Sequence, residues 1–174
     1  DQQLEEAQQQ LGLAVNKILT LGGFPIVLGG GHEVTFGHYL GYQNSLPKGL
    51  SQKPSRLGII NLDAHFDNRE PGENGPSSGS GFYQIEQHQK SIGADFYYLA
   101  IGIQKTGNTK ALFDRADQSG TIVIPAEHVG DEKYNFKNHG IIQGFLADID
   151  QLYLTIDMDV FASAYAPGVS APTP

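Results

Sequence analysis

The stretch that decides the fold is Leu57-Gly58-Ile59-Ile60-Asn61-Leu62-Asp63-Ala64-His65-Phe66-Asp67. Its first six residues form a nearly continuous apolar run, which is typical of a strand buried on both faces of a parallel sheet. The last five residues place two carboxylates and an imidazole directly after that strand. Because these side chains bind hard and borderline metal ions, the stretch predicts a metal site at a strand end.

Two further apolar runs end in the same kind of residues. Gly29-Gly30-Gly31-His32-Glu33 follows the run at 24–28, and Asp157-Met158-Asp159 follows the run at 152–156. In open α/β sheets, ligands bind beyond the carboxyl ends of the strands. We therefore expect one metal site built from these side chains: His32, Asp63, His65, Asp67, Asp157 and Asp159.

Each motif taken alone also has a structural interpretation. Asp-x-Asp after a strand often forms a turn or a helix cap, and a single histidine is often a hydrogen-bonded structural residue. Phe36 stands where the helical zinc-protease motif needs its second histidine. The glycine turn lacks the Lys-Ser/Thr pair of a phosphate loop, and the Asp157 motif lacks the glycine of a calcium loop. The coincidence of three strand ends favours metal binding.

Composition limits the class of protein. The chain has 174 residues, of which 39% are hydrophobic and 17% charged, so we expect a folded globule. We interpret residues 1–174 as a single domain that is incomplete at both ends, because the chain opens in a helix and stops just after a ligand-bearing strand. The net charge of -8 argues against nucleic acid and anionic membranes as partners. No apolar run is long enough to span a membrane.

The chain contains no cysteine. Disulfides and thiolate metal sites are therefore excluded, and oxygen and imidazole ligands favour manganese, magnesium or iron over structural zinc. The absence of cysteine is also compatible with a cytoplasmic protein, which is the location we expect.

Apolar periodicity and turn residues predict alternating helices and strands. This alternation predicts a three-layer α/β/α fold with a mostly parallel sheet. We expect a polar loop at 49–56 and an active-site loop, rich in Gly, Pro and Ser, at 68–81. The predicted helices lie at 4–21, 33–42, 82–90, 108–118 and 140–149, and the predicted strands at 24–28, 57–62, 96–103, 121–124 and 152–156.

The three motifs, in this order, resemble the signatures of the ureohydrolase superfamily, which comprises arginase, agmatinase and formimidoylglutamase. The resemblance covers residues 24–172 and implies an arginase-like fold with two manganese ions per chain. By position it implies that His32 binds one ion with Asp67, that His65 binds the other with Asp159, and that Asp63 and Asp157 bridge the two. A hydroxide shared by the ions would then attack the substrate, and Asp67 would relay its proton.

The formimidoylglutamase branch is the most similar. Arginases and agmatinases carry a proton-shuttling histidine where this chain has Ser78, and serine alone is a poor base near neutral pH. Arg69 lies where arginases contact a substrate carboxylate, and it could hold a glutamate carboxylate in a bidentate fork. Arg69 could equally be a surface residue paired with Glu70 or Glu73. We assign Arg69 and Ser78 to substrate binding.

The resemblance implies hydrolysis of a linear amidine, N-formimidoyl-L-glutamate, to L-glutamate and formamide in histidine degradation. Two alternatives stay open: an agmatinase or other guanidino hydrolase, and an inactive metal-binding domain. The expected partner is a small-molecule amidine substrate, and a homo-oligomer is compatible with the sequence.

Overall fold

The computed structural model describes residues 2–46 and 55–171, which form two compact units. The first unit comprises Asp1–Pro54 and Asp67–Ile92, and the second comprises Ser55–Phe66 and Gly93–Pro174. Most of the polar loop predicted at 49–56 lies outside the described residues. That the chain forms one domain stays a prediction.

The first unit is helical. Helix α1 spans Gln2–Thr20, α2 spans Val34–Ser45, and α3 spans Gly81–Ser91, preceded by a short 3-10 helix at Ser78–Ser80. Helices α1 and α2 approach closely through glycines. A Cβ built on Gly41 would lie 2.5 Å from Val15 Cβ, and one built on Gly37 would lie 2.7 Å from the carbonyl oxygen of Gln8. Larger residues at these two positions would force the helices apart.

The strand predicted at 24–28 is wrong. These residues belong to no strand or helix, and Phe24, Ile26 and Leu28 are 87%, 77% and 93% exposed. An apolar run indicates a strand only if another strand supplies its hydrogen bonds, and within the described residues none pairs with this one. The glycine turn and His32 that follow lead directly into α2.

The second unit is built on a four-stranded parallel sheet with the strand order β3-β2-β1-β4. The unit also contains helix α4 at Lys110–Ser119 and helix α5 at Glu132–Ala147. A buried core of Ile60, Leu99, Ile124 and Phe145 joins three of the strands to α5. The four strands are β1 at Leu57–Leu62, β2 at Tyr97–Ile103, β3 at Ile122–Pro125 and β4 at Gln151–Ile156.

Strand β4 lies at the edge of this sheet. It pairs with β1 in register from Leu57–Gln151 to Leu62–Ile156. The side chains of Leu152, Leu154 and Ile156 are about half exposed. The parallel sheet confirms the prediction for these strands, and both carboxylate-bearing strand ends, β1 and β4, are therefore adjacent.

Helix α5 begins eight residues before the predicted start at 140. Asp131 forms its N-cap, because the Asp131 side chain accepts a hydrogen bond of 2.9 Å from the backbone N–H of Lys133. None of the helices in the described part of the chain is long and apolar enough to cross a membrane.

Candidate metal centre

Asp63 follows β1 directly and is completely buried. Its backbone N–H donates to the carbonyl oxygen of Ile101 at 2.9 Å, which ties the strand end to β2. Both carboxylate oxygens already accept one hydrogen bond: Oδ1 from the backbone N–H of His65 at 2.7 Å, and Oδ2 from Asn61 Nδ2 at 3.0 Å. The carboxylate is therefore held in one orientation, with further lone pairs on each oxygen.

His65 lies between two carboxylates of the second unit. Its Nδ1 is 2.8 Å from Asp159 Oδ2 and 3.7 Å from Asp63 Oδ1. Hydrogen bonds to Asp159 and then to Asp63 raise the pKa of His65 to about 10, against a smaller opposing effect of burial. One ligand atom from each of the three residues lies within 4.8 Å of the others, so this set could hold a metal ion.

The end of β4 supplies two carboxylates. The backbone N–H of Asp157 donates to the carbonyl oxygen of Leu62 at 2.8 Å, which places Asp157 beside the end of β1. Asp157 Oδ1 accepts from the N–H of Asp159 at 3.0 Å and caps the short 3-10 helix Met158–Val160. Asp159 Oδ1 accepts from the N–H of Ala64 at 3.2 Å. Asp157 also offers an oxygen within 4.8 Å of one from Asp63.

In the first unit, His32 pairs with Asp67, which is partly buried. His32 is 7% exposed, and its Nδ1 lies 2.8 Å from Asp67 Oδ2. The Phe82 ring contacts the His32 ring edge-to-face at a centroid distance of 5.3 Å. Asp67 has a φ of 42°, which is uncommon for a residue other than glycine and indicates local strain. The backbone N–H of Phe82 donates to the carbonyl oxygen of Asp67 at 3.1 Å and stabilises this conformation.

The predicted ligands occur in both units. The first unit brings together His32 and Asp67. In the second unit, Asp63, His65 and Asp159 form one group, and Asp157 offers an oxygen close to one of Asp63. All donors are carboxylate oxygens or imidazole nitrogens, which suits manganese. Buried carboxylates at such short separations repel one another, and a divalent cation offsets that repulsion. The residues present thus fit the metal that the sequence motifs imply.

The two predicted substrate residues lie in the first unit, on its exposed surface. The backbone N–H of Arg69 donates to the carbonyl oxygen of Gly79 at 2.9 Å, so the chain at Arg69 runs beside the 3-10 helix that Ser78 begins. Among the described residues, Arg69 forms no ion pair with Glu70 or Glu73. Both interpretations of Arg69, as a substrate residue and as a surface residue, stay predictions.

Sequence reasoning missed the residues that support the ligand loop. Gly102 has a φ of 98° at an irregularity in the β2–β3 pairing. A Cβ there would lie 2.5 Å from Val160 Cγ2 and 3.2 Å from the carbonyl oxygen of Asp63, so only glycine lets the three segments meet. A glycine inside a strand pattern is a signal of such a close approach. The buried polar residues Asn61, Tyr98 and Asn108 also contact the loop.

The remaining histidines take no part in these ligand sets. Among the described residues, no group of potential metal ligands includes His38, His88, His128 or His139. His88 Nδ1 lies 2.9 Å from the hydroxyl of Tyr39. The His128 ring stacks on a tyrosine ring at 3.7 Å.

Comparison with known proteins agrees with this geometry. The model of the arginase family matches residues 2–174. The chain is 46% identical to formimidoylglutamase of Hahella chejuensis over 170 residues, which cover 98% of this chain and 51% of that protein. It is 44% identical to formimidoylglutamase of Geobacillus thermodenitrificans over 174 residues, covering 100% and 51% respectively. The chain thus spans about half the length of the relatives it matches.

Solved structures confirm the predicted fold class. Formimidoylglutamase from Bacillus subtilis superimposes with a TM-score of 0.80 at 19% identity, over 97% of this chain and 50% of that one. Formiminoglutamase from Trypanosoma cruzi, solved with Mn²⁺, gives a TM-score of 0.78 at 24% identity, over 97% and 53%. The parallel sheet and the carboxylates at its adjacent strand ends agree with this fold. Because the arginase family model matches residues 2–174, this chain belongs to the arginase family.

Proposed function

We propose that the protein hydrolyses N-formimidoyl-L-glutamate to L-glutamate and formamide and that it uses two manganese ions per chain. One observation carries this proposal: the buried cluster of Asp63, His65 and Asp159 occurs in a chain that is 46% identical to a formimidoylglutamase. The alternatives of an agmatinase and of an inactive metal-binding domain are outcomes of the test below.

In this proposal, His65 and Asp159 hold one ion, and His32 and Asp67 hold the other. Asp63 and Asp157 would supply further carboxylate ligands. Manganese bound there lowers the pKa of water and stabilises the negative charge that develops on the substrate. The hydrogen bonds that already fix Asp63 and Asp159 support the assignment, because ligands held in place lose little freedom when the metal binds.

Hydrolysis breaks the bond between the formimidoyl carbon and the glutamate nitrogen. Water supplies the oxygen of formamide, and the glutamate nitrogen leaves as an amine after it gains one proton. We assign the transfer of that proton to Asp67. Its carboxylate pairs with His32 at 2.8 Å, and its strained backbone is what is expected of a residue held for function rather than for packing.

Arg69 and Ser78 would bind the substrate away from the reacting carbon. Arg69 is exposed and, within the part of the chain that the structure describes, forms no ion pair with Glu70 or Glu73, so its guanidinium is available for a bidentate contact with a glutamate carboxylate. Ser78 can donate or accept one hydrogen bond but cannot act alone as a base near neutral pH. This pair suits a substrate with free carboxylates better than agmatine, which has none.

The test compares kcat/KM for N-formimidoyl-L-glutamate, L-arginine and agmatine in the full-length protein loaded with manganese. We expect N-formimidoyl-L-glutamate to react far faster than the other two. Faster turnover of agmatine would replace the proposal with a guanidino hydrolase. Stoichiometric manganese binding without turnover of any of the three would replace it with an inactive metal-binding domain. The cytoplasmic location and a homo-oligomeric state also stay predictions.

A further inference from the structure

The loop that carries Asp63 and His65 takes many of its hydrogen bonds from side chains. The carbonyl oxygen of Phe66 accepts from the hydroxyl of Tyr98 at 3.0 Å, and the backbone N–H of Phe66 donates to Asn108 Oδ1 at 3.1 Å. The carbonyl oxygen of Ala64 accepts from Asn108 Nδ2 at 2.9 Å. Because this loop has no regular secondary structure, these side chains, together with the backbone N–H of Gln104, which donates to the carbonyl oxygen of Ala64 at 3.0 Å, hold its ligands in place.

Asn108 contacts the loop on both sides of His65. Its amide oxygen accepts from residue 66 and its amide nitrogen donates to residue 64, so it holds the two peptide groups that flank the histidine. The second hydrogen of Nδ2 donates to the carbonyl oxygen of Gln104 at 2.7 Å, which fixes the amide itself. Asn108 is 9% exposed, and water cannot easily replace these bonds.

Tyr98 and Asn61 form a second buried support. The Tyr98 hydroxyl accepts from Asn61 Nδ2 at 3.0 Å while it donates to residue 66, and the same Nδ2 donates to Asp63 Oδ2 at 3.0 Å. Asn61 Oδ1 is buried and has no hydrogen-bond partner among the residues at 2–46 and 55–171. An unsatisfied oxygen costs stability that an aliphatic side chain would not. The Asn61 side chain therefore contributes through its Nδ2 hydrogens, which donate to Asp63 and Tyr98, and not through its oxygen.

The segment before Asn108 also constrains the His65 ring. A Cβ built on Gly107 would lie 3.1 Å from His65 Nε2 and 3.3 Å from Cδ2. The Gly107 backbone therefore lies close to the Nε2 and Cδ2 atoms of the ring, whereas Asp159 contacts Nδ1. One short segment, residues 104–108, thus holds both the backbone on either side of His65 and the ring itself.

We propose that Asn61, Tyr98 and Asn108, which we name the loop brace, are positioning residues that hold Asp63 and His65 in the geometry that binds manganese. The inference rests on the metal centre of the proposed function. None of the three residues is one of the six predicted metal ligands. The brace acts through the ligands and not on the substrate, so its loss should weaken manganese binding first.

The experiment measures manganese affinity in the full-length protein by electron paramagnetic resonance, which separates free from bound ions. The variants are Tyr98→Phe, which removes one oxygen atom, and Asn108→Ala. Losing a residue that orients metal ligands typically weakens metal binding by about 10- to 100-fold, and we expect that range for both variants. We also expect the spectrum of the bound ions to change, because the ligands of one ion move.

Two matched controls separate positioning from general stability. Tyr39→Phe removes a buried hydroxyl that lies 2.9 Å from His88 Nδ1, and Asn138→Ala removes an amide that donates to the carbonyl oxygen of His128 at 2.7 Å. Both should lower the melting temperature about as much as the brace variants do. Their manganese affinity should stay within twofold of the wild type.

The manganese affinities of the wild type, the brace variants and the controls decide whether the brace positions the metal ligands. If Tyr98→Phe and the controls bind manganese as tightly as the wild type, the brace is a structural feature only and the inference is overturned. If Asn108→Ala does not fold, Tyr98→Phe alone decides, because the loss of one hydroxyl leaves the ring packing in place. A wild-type protein that binds no manganese would overturn the metal centre and the brace with it, whereas tight wild-type binding with unaffected variants would overturn the brace alone.

Discussion

Manganese binding should displace a proton from His65. In the metal-free protein, the carboxylates of Asp159 and Asp63 raise the pKa of His65 to about 10, so its ring is protonated at neutral pH. Only a neutral imidazole can bind a metal ion. The apparent affinity for manganese should therefore rise with pH.

The size of the effect follows from that pKa. At pH 7.5 the proton lowers the apparent affinity of the His65 site by about 300-fold relative to the neutral ring, and each rise of one pH unit between 6.5 and 8.5 should strengthen binding about tenfold. The stability of the metal-free protein should change in the opposite direction. Because the folded pKa of His65 lies above its unfolded value, its contribution is fully present below about pH 6.5 and is lost as the pH rises through about 10.

Isothermal titration calorimetry without oxygen, in buffers that differ in ionisation enthalpy, would count the protons released. We expect at least one proton per ion bound at this site at pH 7.5, and one fewer in His65→Asn. A manganese affinity that does not change with pH, with no proton released, would contradict the displacement of a proton from His65. So would a His65→Asn variant that releases as many protons as the wild type.

Three further predictions concern single substitutions in the full-length protein. Asp63→Ala should lower the bound manganese below two ions per chain, because it removes a shared ligand. It should also reduce stability, because the loss of manganese leaves buried carboxylates uncompensated. Metal analysis that still finds two ions per chain would contradict the bridging role. Arg69→Ala should mainly raise KM for N-formimidoyl-L-glutamate. The control Arg56→Ala, which removes an exposed arginine paired with an aspartate, should leave KM unchanged. An unchanged KM in Arg69→Ala would show that Arg69 is a surface residue without a role in substrate binding. Gly102→Ala should lower the free energy of unfolding in urea by roughly 2–4 kcal/mol. The control Gly144→Ala, which adds a methyl group into open space, should not lower it. Equal unfolding midpoints for the two variants would argue against the close approach at Gly102.

The sequence predicts an element's bounds best where a buried apolar run is followed directly by polar ligand residues. Strand β1 begins and ends at the predicted residues because its apolar run is buried in the sheet and a ligand turn follows at once. The run at 24–28 looked equally apolar but lacks a partner strand among the described residues, and strand formation depends on hydrogen bonds that a run does not contain. The start of α5 is indicated by Asp131, an N-cap residue, and not by the apolar residues at 140–149.

The supports of the ligand loop could not be predicted from spacing. Tyr98 lies 35 positions after Asp63 and Asn108 lies 45 positions after it, and only the parallel pairing of β1 with β2 brings them to the loop. A tyrosine in an apolar strand is ordinarily a core residue. Its hydroxyl acquires a role only because the neighbouring strand ends in an irregular turn whose carbonyl oxygen needs a donor.

The structural and functional interpretations of the aspartate motifs are compatible, because a carboxylate has two oxygens. Asp157 caps a short helix through Oδ1 and still offers an oxygen near Asp63. Asp159 anchors the N–H of Ala64 through Oδ1 while its Oδ2 faces the His65 ring. Each carboxylate is thus oriented by protein hydrogen bonds, and a proton on His65 can supply part of the positive charge that the cluster requires. The same contacts that make these residues look structural therefore explain why metal and proton compete for one position.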